Sequence, residues 1–474
     1  MNVTTEKLMH HIEESFFHST DFFIEKSNWK DEEVIICYYS VLVKNDIIQE
    51  QLAMIQQRKL AQIKDWGDTS VSSLESFSMS AIREKVCSGY TIVIFPTEQK
   101  MLLLNLPTYP VRSPEEPENE HVIRGSHEGF VEGMDSNIAL LRKRLQIPEL
   151  VIKEKIVGKK SKTKINFVYI QGVAGQELID EVSKRLDALN AEAITSAGQL
   201  EDYIEDNVWS PFPQYLNTER PDRVIANILE GRIAIFTDHT PTCLVGAVSF
   251  FSFYQSPDDF NGRVIVGSFY RLVRLVSFIL SIFLPAFYIA VIGFHSEILP
   301  MDLSKQVKVA IDNIPYRPIV EAVILELFIE LIREATIRLP SPVGQTIGIV
   351  GGLVIGDAIV RAGLVSNLMV IVVAMTAISS FVVPSVEMNT TIRVLRFPFM
   401  FMASLFGFFG MAIASLLLFI HLANLSSLKR PYLTPLIPFN LTGFKDIFLR
   451  LPYIKMHKQQ KTFTFEQETE EQNK

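Results

Sequence analysis

The sequence predicts a chain of two unlike halves: an α/β soluble N-terminal half made of two small α/β domains, then an all-α multi-pass membrane domain. Short β-prone runs alternate with amphipathic helices up to about residue 260. From there to residue 425, apolar runs approach the ~20 residues that a membrane-spanning helix needs. The mean hydropathy of +0.21 is high for a soluble protein and low for a pure transporter, as a divided chain would give.

The first α/β domain is predicted over residues 1–110. Short apolar runs at 34–40, 90–95 and 101–106 predict strands, and residues 46–60 have helical character. Residues 111–147 are predicted to be a linker and an amphipathic helix. Prolines between 107 and 119 favour an extended linker. The helix ends in Arg142, Lys143 and Arg144, where the helix dipole favours cations.

The second α/β domain is predicted over residues 148–260. Strands are expected at 151–157, 165–170, 233–236 and 244–251, and helices at 175–189 and 199–208. A further helix begins with Glu219, Arg220 and Pro221, with Thr218 as its predicted N-cap. Gly231 is predicted to end that helix.

The membrane domain is predicted over residues 261–425, with four full spans and one amphipathic or re-entrant helix. The spans are 275–294, 343–364, 365–386 and a run within 397–425; the remaining helix is 318–339. On that helix, Glu326, Glu330, Arg333 and Glu334 form one stripe. Placing a charged side chain against lipid costs free energy. The helix therefore either lies along the membrane–water interface, or it spans the membrane with this stripe, a candidate ion pathway, facing a water-filled interior.

The distribution of basic residues favours four spans with both termini cytoplasmic. The tail, residues 426–474, is basic and then acidic, and it is expected to be cytoplasmic. In this arrangement Arg361 lies inside, whereas Arg393 and Arg396 lie outside. A fifth crossing would move the basic tail outside and reverse the bias.

Small residues mark a candidate helix-packing face between residues 343 and 364. Its glycines share one side of a helix: Gly344, Gly348, Gly351, Gly352 and Gly356. In lipid, this spacing lets two backbones approach closely, although glycine is also simply tolerated in membrane helices. Asp357 and Arg361 are four residues apart and can pair. This pair is either a switch that shifts on activation or a snorkelling pair at a membrane boundary.

Composition and motifs argue against several functions. The net charge of -8 and the lack of a basic face argue against nucleic-acid binding. The three cysteines have no paired metal spacing, and the N-terminal sequence does not resemble a signal peptide. We find no G-x-S-x-G, phosphate loop, H-E-x-x-H or dinucleotide fingerprint. No enzymatic reaction, cofactor or metal is therefore predicted.

Three sequence blocks carry a family resemblance. The first contains Arg124, Gly125, Glu128 and Gly129, and departs from the family at Ser126 and His127. The second contains Pro211, Phe212, Pro213, Gln214, Glu219, Arg220, Pro221, Asp222 and Arg223. The third is SPVGQTIGIVGGLVIGDAIVRAGLVS, from residue 341. Together they resemble the A subunits of GerA-type spore germinant receptors. From the residues alone, Arg220, Asp222 and Arg223 either bind a partner or form a local charge network.

The resemblance implies a membrane protein of the spore inner membrane. The N-terminal domains are expected to be cytoplasmic, because the N-terminal sequence does not resemble a signal peptide. The resemblance also implies a complex with a permease-like B subunit and a lipoprotein C subunit, which detects small nutrients and triggers ion release and germination. Self-association through the glycine face, within membrane lipid, would give an oligomeric ion channel. Two other functions remain open: a stand-alone membrane transporter and a non-conducting scaffold for receptor partners.

Overall fold

The computed structural model describes residues 5–29, 32–43, 45–56, 71–106, 116–117, 120, 122, 124–312, 314–440, 447 and 450. Several predicted segments lie outside these residues: most of the proline-rich linker, the end of the helix predicted at 46–60, and the acidic end of the tail.

The first α/β unit is a five-stranded antiparallel sheet in the order β1-β2-β4-β5-β3. Its elements are α1 (Thr5–Ser15), β1 (Phe22–Trp29), β2 (Glu32–Tyr39), α2 (Asn45–Gln56), β3 (Val71–Ser76), α3 (Met79–Cys87), β4 (Thr91–Phe95) and β5 (Lys100–Leu104). The three apolar runs predicted to be strands are the inner strands β2, β4 and β5, which are mostly buried. The edge strands β1 and β3 carry many polar residues, so apolar runs did not reveal them.

The second α/β unit is also a five-stranded antiparallel sheet, in the order β6-β7-β9-β10-β8. After α4 (Met134–Arg144), its elements are β6 (Leu150–Val157), β7 (Thr163–Ile170), α5 (Gln176–Asp187), α6 (Ala197–Ile204), β8 (Leu216–Thr218), α7 (Pro221–Leu229), β9 (Ile233–Thr237) and β10 (Cys243–Gly246). In each unit the first, second, fourth, fifth and third strands follow one another across the sheet. The two units therefore share one strand order.

Three local predictions in the second unit have different outcomes. Thr218 is not the N-cap of α7: Arg220 occupies that position, Pro221 begins the helix, and the Thr218 hydroxyl accepts a hydrogen bond from the Arg220 amide. Gly231 follows the helix with φ +80°, and a Cβ there would lie 2.8 Å from the Val173 carbonyl oxygen, so glycine is required. The strand predicted at 244–251 ends at Gly246, and a 3-10 helix (Phe250–Tyr254) follows.

The two α/β units are joined by a buried ion pair. Arg142 of α4 donates from Nε and Nη2 to the Asp21 carboxylate, at 2.9 and 2.8 Å, and both residues are buried. The adjoining Thr20 amide donates to the Ile152 carbonyl oxygen of β6, at 2.9 Å. Arg142 therefore binds a partner in the first unit, and the predicted effect of the helix dipole is not its main role.

The C-terminal half is helical. Its elements are α8 (Pro257–Asn261), α9 (Val264–Phe294), α10 (Met301–Asp312), α11 (Pro318–Arg338), α12 (Ser341–Arg361), α13 (Asn367–Phe381) and α14 (Val386–Asn424), with a 3-10 turn (Ser296–Ile298) and short strands β11 (Ser426–Ser427) and β12 (Arg430–Pro431). Among the described residues, α9 and α14 are long and apolar enough to cross a membrane, and α13 is apolar but only 15 residues long. The α/β N-terminal half and the helical C-terminal half are confirmed; the multi-pass arrangement and the number of crossings stay predictions.

The last helix, α14, is a hairpin. Gly407 has φ 59° and ψ -135°, which no helix contains, and it divides α14 into a first arm (386–406) and a second arm (408–424). Thr391 of the first arm donates to the Pro211 carbonyl oxygen, and His421 of the second arm lies 2.9 Å from the Ser210 hydroxyl. Two adjacent residues of the second unit thus contact both arms. The single span predicted within 397–425 therefore belongs to a helix that turns back.

The helix α11 runs antiparallel to α9, inside the bundle. Its Glu321 accepts a hydrogen bond from the Ser366 amide, and the Ser366 hydroxyl lies 3.3 Å from that of Tyr288 on α9. Further along, Glu326 pairs with Arg396, whose Nε donates to the Ser281 carbonyl oxygen. The earlier residue of α11, Glu321, thus lies near Tyr288 of α9, and the later residue, Glu326, lies near the earlier Ser281. The two helices therefore run in opposite directions. The structure therefore packs α11 against α9 with Glu321 and Glu326 facing inward, whereas the position of α11 relative to a membrane stays a prediction.

Candidate functional site

A layer of aromatic side chains joins the second α/β unit to the helical half, and we call it the junction. Its members are Phe212, Phe250, Phe253, Tyr254, Phe278, His421 and Tyr432. The Phe278 ring of α9 lies 5.6 Å from the Phe250 ring and 5.1 Å from the Tyr254 ring. Rings at these distances pack tightly and contribute beyond their buried area. The junction therefore connects the sheet of the second unit firmly to α9.

The base of α9 is fixed by a fully buried carboxylate. Asp259 is 0% exposed, and its oxygens accept hydrogen bonds from Arg274 at 2.6 and 2.8 Å and from Arg271 at 3.4 Å. Gly267 permits this approach, because a Cβ there would lie 2.6 Å from the Asp259 carbonyl oxygen. Breaking a buried pair of this kind is costly, because an uncompensated charge remains. The start of α9 is thus held to α8.

The arginines of the second motif block are engaged within the chain. Arg220 is fully buried and donates to Asp222, at 3.1 and 2.8 Å, and to the Ser126 carbonyl oxygen, at 3.0 Å. Arg223 pairs with Glu120 and donates to the carbonyl oxygens of Ser252 and Gln255, at 3.2 Å each. Of the two interpretations left open by the sequence, the geometry agrees with the local charge network. This network connects the linker to the 3-10 helix of the junction.

The first motif block packs against the second. The Phe130 amide donates to the Glu219 carbonyl oxygen, at 2.8 Å, and Glu128 pairs with Arg144 of α4. The Arg124 amide donates to Asp258 of α8, at 3.3 Å. Gly125 has φ +141°, a conformation that favours glycine. Gly129 lies between Glu128 and Phe130 in the same segment. Because of the hydrogen bonds at Phe130 and Arg124, the first two blocks form one connected structure at the base of the bundle.

Residues Pro211 to Gln214 and the start of the tail complete the junction. The Tyr432 hydroxyl donates to the Pro213 carbonyl oxygen, at 2.7 Å, and the Phe250 amide donates to the Tyr432 carbonyl oxygen, at 2.8 Å. The Ser427 hydroxyl donates to the Gln214 carbonyl oxygen, at 2.6 Å. The chain therefore returns to the second unit directly after α14.

The predicted ion-pathway residues are paired with arginines. Glu326 is 1% exposed and pairs with Arg396, and Glu330 lies 2.7 Å from Arg393 of the same arm. Arg393 and Arg396 were predicted to lie outside. Arg393 is two residues from Thr391, which contacts the second unit, so the structure places it on the side of the α/β half. This contradicts the predicted position of Arg393. The prediction failed because the contact between Thr391 and the second unit joins distant parts of the sequence.

The other two residues of the polar stripe differ in their surroundings. Arg333 lies 4.4 Å from the Phe381 ring and 3.9 Å from Glu330. Glu334 is exposed and pairs with Arg338, at 2.5 Å. Glu334 thus belongs to the surface and Glu326 to the interior of the bundle, whereas Glu330 is half-buried.

The predicted packing face on α12 is partly used within the chain. Gly344 packs against α11, where an added Cβ would lie 2.9 Å from the Thr336 carbonyl oxygen. Among the described residues, nothing lies within 4 Å of a Cβ built at Gly351, Gly352 or Gly356, and the Cβ of Gly348 would meet the Thr336 hydroxyl at 3.7 Å. Asp357 and Arg361 form the predicted pair, at 2.7 Å, and both are exposed. The third motif block is thus separate from the junction.

Two carboxyl groups of α6 and its end have raised pKa values. Burial, then the charges of Glu387, Glu205 and Asp202, raise the pKa of Glu201 to about 9. Burial, then the charges of Asp202, Glu387 and Asp206, raise the pKa of Glu205 to about 7. Both groups face the first turn of α14, which carries Glu387. Their protonation is therefore sensitive to the distance between the second unit and the hairpin.

Three residues of this site, Asp21, Glu120 and Asp259, were not identified from the sequence, and Arg396 was placed outside without a predicted partner. The partners of Asp21, Glu120 and Arg396 lie 121, 103 and 70 residues away in the sequence, whereas those of Asp259 lie 12 and 15 residues away. One signal was present: acids four apart at Glu326 and Glu330, and arginines three apart at Arg393 and Arg396. Complementary charges on two apolar helices indicate pairing between them.

Comparison with known proteins identifies the family. A family model described as Bacillus/Clostridium GerA spore germination protein matches residues 10–462. The chain belongs to the GerA family. This confirms the resemblance predicted from the three motif blocks and supports a role in spore germination.

GerA proteins similar to this chain include two spore germination proteins. The chain is 36% identical to spore germination protein GerQA of Bacillus cereus, over 96% of this chain and 93% of that protein. It is 38% identical to spore germination protein B1 of Bacillus subtilis (strain 168), over 89% of each. The crystal structure of the N-terminal domain of the A subunit of the Bacillus megaterium spore germinant receptor GerK3 covers 52% of this chain and 94% of its own. The identity is 27% and the TM-score 0.38.

Proposed function

We propose that this chain is the A subunit of a nutrient germinant receptor in the spore inner membrane, where it converts nutrient detection into ion release and germination. The observation that carries the proposal is the GerA match from residue 10 to residue 462, which includes both α/β units and the helical half. We further propose that it acts in one complex with a permease-like B subunit and a lipoprotein C subunit.

The surface of the helical half supports a membrane location. Large apolar side chains such as Phe287, Ile378 and Phe409 are exposed on α9, α13 and α14. Ionisable residues such as Glu326 and Arg396 are instead buried between the helices. Charges within a membrane domain face its interior and pair there, because lipid does not solvate them. Because α9 contacts the junction through Phe278 and α14 ends there, beyond His421, both α/β units lie on one side, which we propose to be cytoplasmic.

Signal transfer would use the junction. A ligand shifts a receptor only through different affinities for two states. We propose that the nutrient binds the B subunit and that the second α/β unit moves relative to the helical half in response. Asp259 and the aromatic layer would transmit this movement to α9, and the contacts of Ser210 and Pro211 would transmit it to both arms of α14.

The ion pathway is proposed to pass the stripe of Glu326 and Glu330, in an oligomer joined through the open glycines of α12. Rings of carboxylates select cations. Glu326→Ala combined with Glu330→Ala should abolish nutrient-triggered cation release from spores. The matched control is Glu334→Ala, on the same helix but exposed, which should leave release unchanged. Immunoblots of spore membranes confirm equal amounts of each variant.

Normal cation release in the double variant would remove the ion pathway and favour the scaffold. Loss of release in both the double variant and the Glu334→Ala control would point to damage of α11 in general. Ion flux through the purified wild-type chain in vesicles, absent in the double variant, would assign conduction to this chain alone.

A further inference from the structure

An exposed aromatic tip projects from the second α/β unit beside the hairpin. Trp209 is 96% exposed, Val208 is 57% exposed, and Tyr203 at the end of α6 is 55% exposed. We call these three residues the tip. A tryptophan this exposed leaves a large apolar surface in contact with solvent, which is unfavourable unless something covers it.

The backbone beneath the tip is firmly held. The side-chain oxygen of the buried Gln214 accepts hydrogen bonds from the Asp206 and Asn207 amides, at 2.9 and 3.0 Å. Its amide nitrogen donates to the Asn207 carbonyl oxygen, at 2.8 Å, and the Trp209 amide donates to the Asn207 side chain, at 3.1 Å. The exposure of Trp209 is therefore imposed by a fixed turn.

The tip lies where the hairpin meets the second unit. Ser210, the next residue, lies 2.9 Å from His421 of the second arm, and Pro211 accepts from Thr391 of the first arm. Leu417 and Ile420, within one helical turn of His421, are large apolar residues that are also exposed. Apolar surface on the second arm thus reaches the level of the tip.

Helix lengths place this level at a membrane surface. The first arm rises about 24 Å from Thr391 to Gly407, and the second arm returns about 21 Å to His421, at ~1.5 Å per residue. Gly407 contacts Phe294 and His295, at the far end of α9. A bilayer has a hydrocarbon core of about 30 Å. Because the hairpin rises no more than about 24 Å above Ser210, less than the thickness of the hydrocarbon core, the near surface of that core lies close to the level of Ser210.

We propose that Tyr203, Val208 and Trp209 are a lipid anchor, which inserts into the headgroup region of the phospholipid bilayer that the helical half crosses. Tryptophan and tyrosine favour this region, because one part of each ring is apolar and another part forms hydrogen bonds. The anchor holds the second unit against the bilayer beside the hairpin. This inference rests on the membrane location given under the proposed function.

Tryptophan fluorescence tests the anchor in the full chain. Phe replaces Trp29 and Trp66, so that Trp209 is the only tryptophan, and a matched variant retains only Trp29, which is buried in the first sheet. Both are reconstituted into phosphatidylcholine–phosphatidylglycerol vesicles that contain phosphatidylcholine with a nitroxide near the headgroup. We expect at least about a twofold loss of Trp209 emission in nitroxide vesicles and no loss for Trp29.

Two results would overturn the anchor. Trp209 emission that is quenched by aqueous iodide but not by nitroxide lipid would place the tip in water. Emission that responds to neither would mean that protein covers the tip, for example a second copy of this chain. Flotation of the Trp209→Ser variant with vesicles is measured separately: if this variant and the wild-type chain both fail to float, the membrane location itself fails.

Discussion

Removal of the Arg142 side chain should loosen the first α/β unit from the second. Arg142 is 1% exposed and makes two hydrogen bonds to Asp21, one to the Ser19 hydroxyl and one to the Ile147 carbonyl oxygen, and its guanidinium lies 4.0 Å from the Tyr39 ring. Arg142→Ala leaves the Asp21 carboxylate buried without a counter-charge. The expected loss is about 3–5 kcal/mol, as for other broken buried pairs.

Hydrogen–deuterium exchange of the full chain measures this loss locally. A loss of about 3 kcal/mol in the opening free energy speeds exchange of the β1 and β2 amides roughly a hundredfold, at about 1.4 kcal/mol per factor of ten. The matched control is Arg144→Ala, two residues away, whose partially exposed pair with Glu128 should contribute less than about 1 kcal/mol.

Replacing the ion pair by a buried apolar pair gives a further check. Arg142→Met combined with Asp21→Leu should recover most of the protection, because apolar pairs of similar volume often replace buried ion pairs at little cost. Unchanged exchange in Arg142→Ala, or equal effects of Arg142→Ala and Arg144→Ala, would refute the role of this ion pair in joining the two units.

Two other predictions concern α12 and the acidic residues of the second unit. Gly352→Leu should leave the chain folded but reduce self-association in a pull-down, because nothing described in the chain lies within 4 Å of a Cβ at this position. Gly344→Leu should lower the amount of folded protein, because a Cβ at Gly344 would lie only 2.9 Å from the Thr336 carbonyl oxygen of α11. Unimpaired self-association of folded Gly352→Leu would exclude the glycine face. The raised pKa of Glu205 stabilises the folded state at low pH, and this contribution is lost as pH rises through about 7. Glu205→Gln should flatten the rise in protease sensitivity between about pH 4.5 and pH 7, because the carboxyl ionises in the unfolded chain from about 4.5 but in the folded chain only near 7; an unchanged rise would contradict this assignment.

The sequence determined the division of the chain and the most apolar elements. The inner strands β2, β4 and β5 are short apolar runs, and their burial follows from composition alone. The turn at Gly231 and the pairing of Asp357 with Arg361 were also predictable, because they depend on residues within a few positions of each other. The three motif blocks correctly indicated the GerA family.

Only the tertiary structure decided how these elements are arranged. The reversal at Gly407 was not predicted from the apolar run around it, because the contacts of the two arms with Ser210 and Pro211 join residues 211 and 180 positions apart. The direction of α11 depends on the pairing of Glu326 with Arg396, which is 70 residues away. The common strand order of the two α/β units is likewise absent from any local pattern. Local periodicity reports which residues are buried, whereas the partners that bury them are set by contacts between distant parts of the chain.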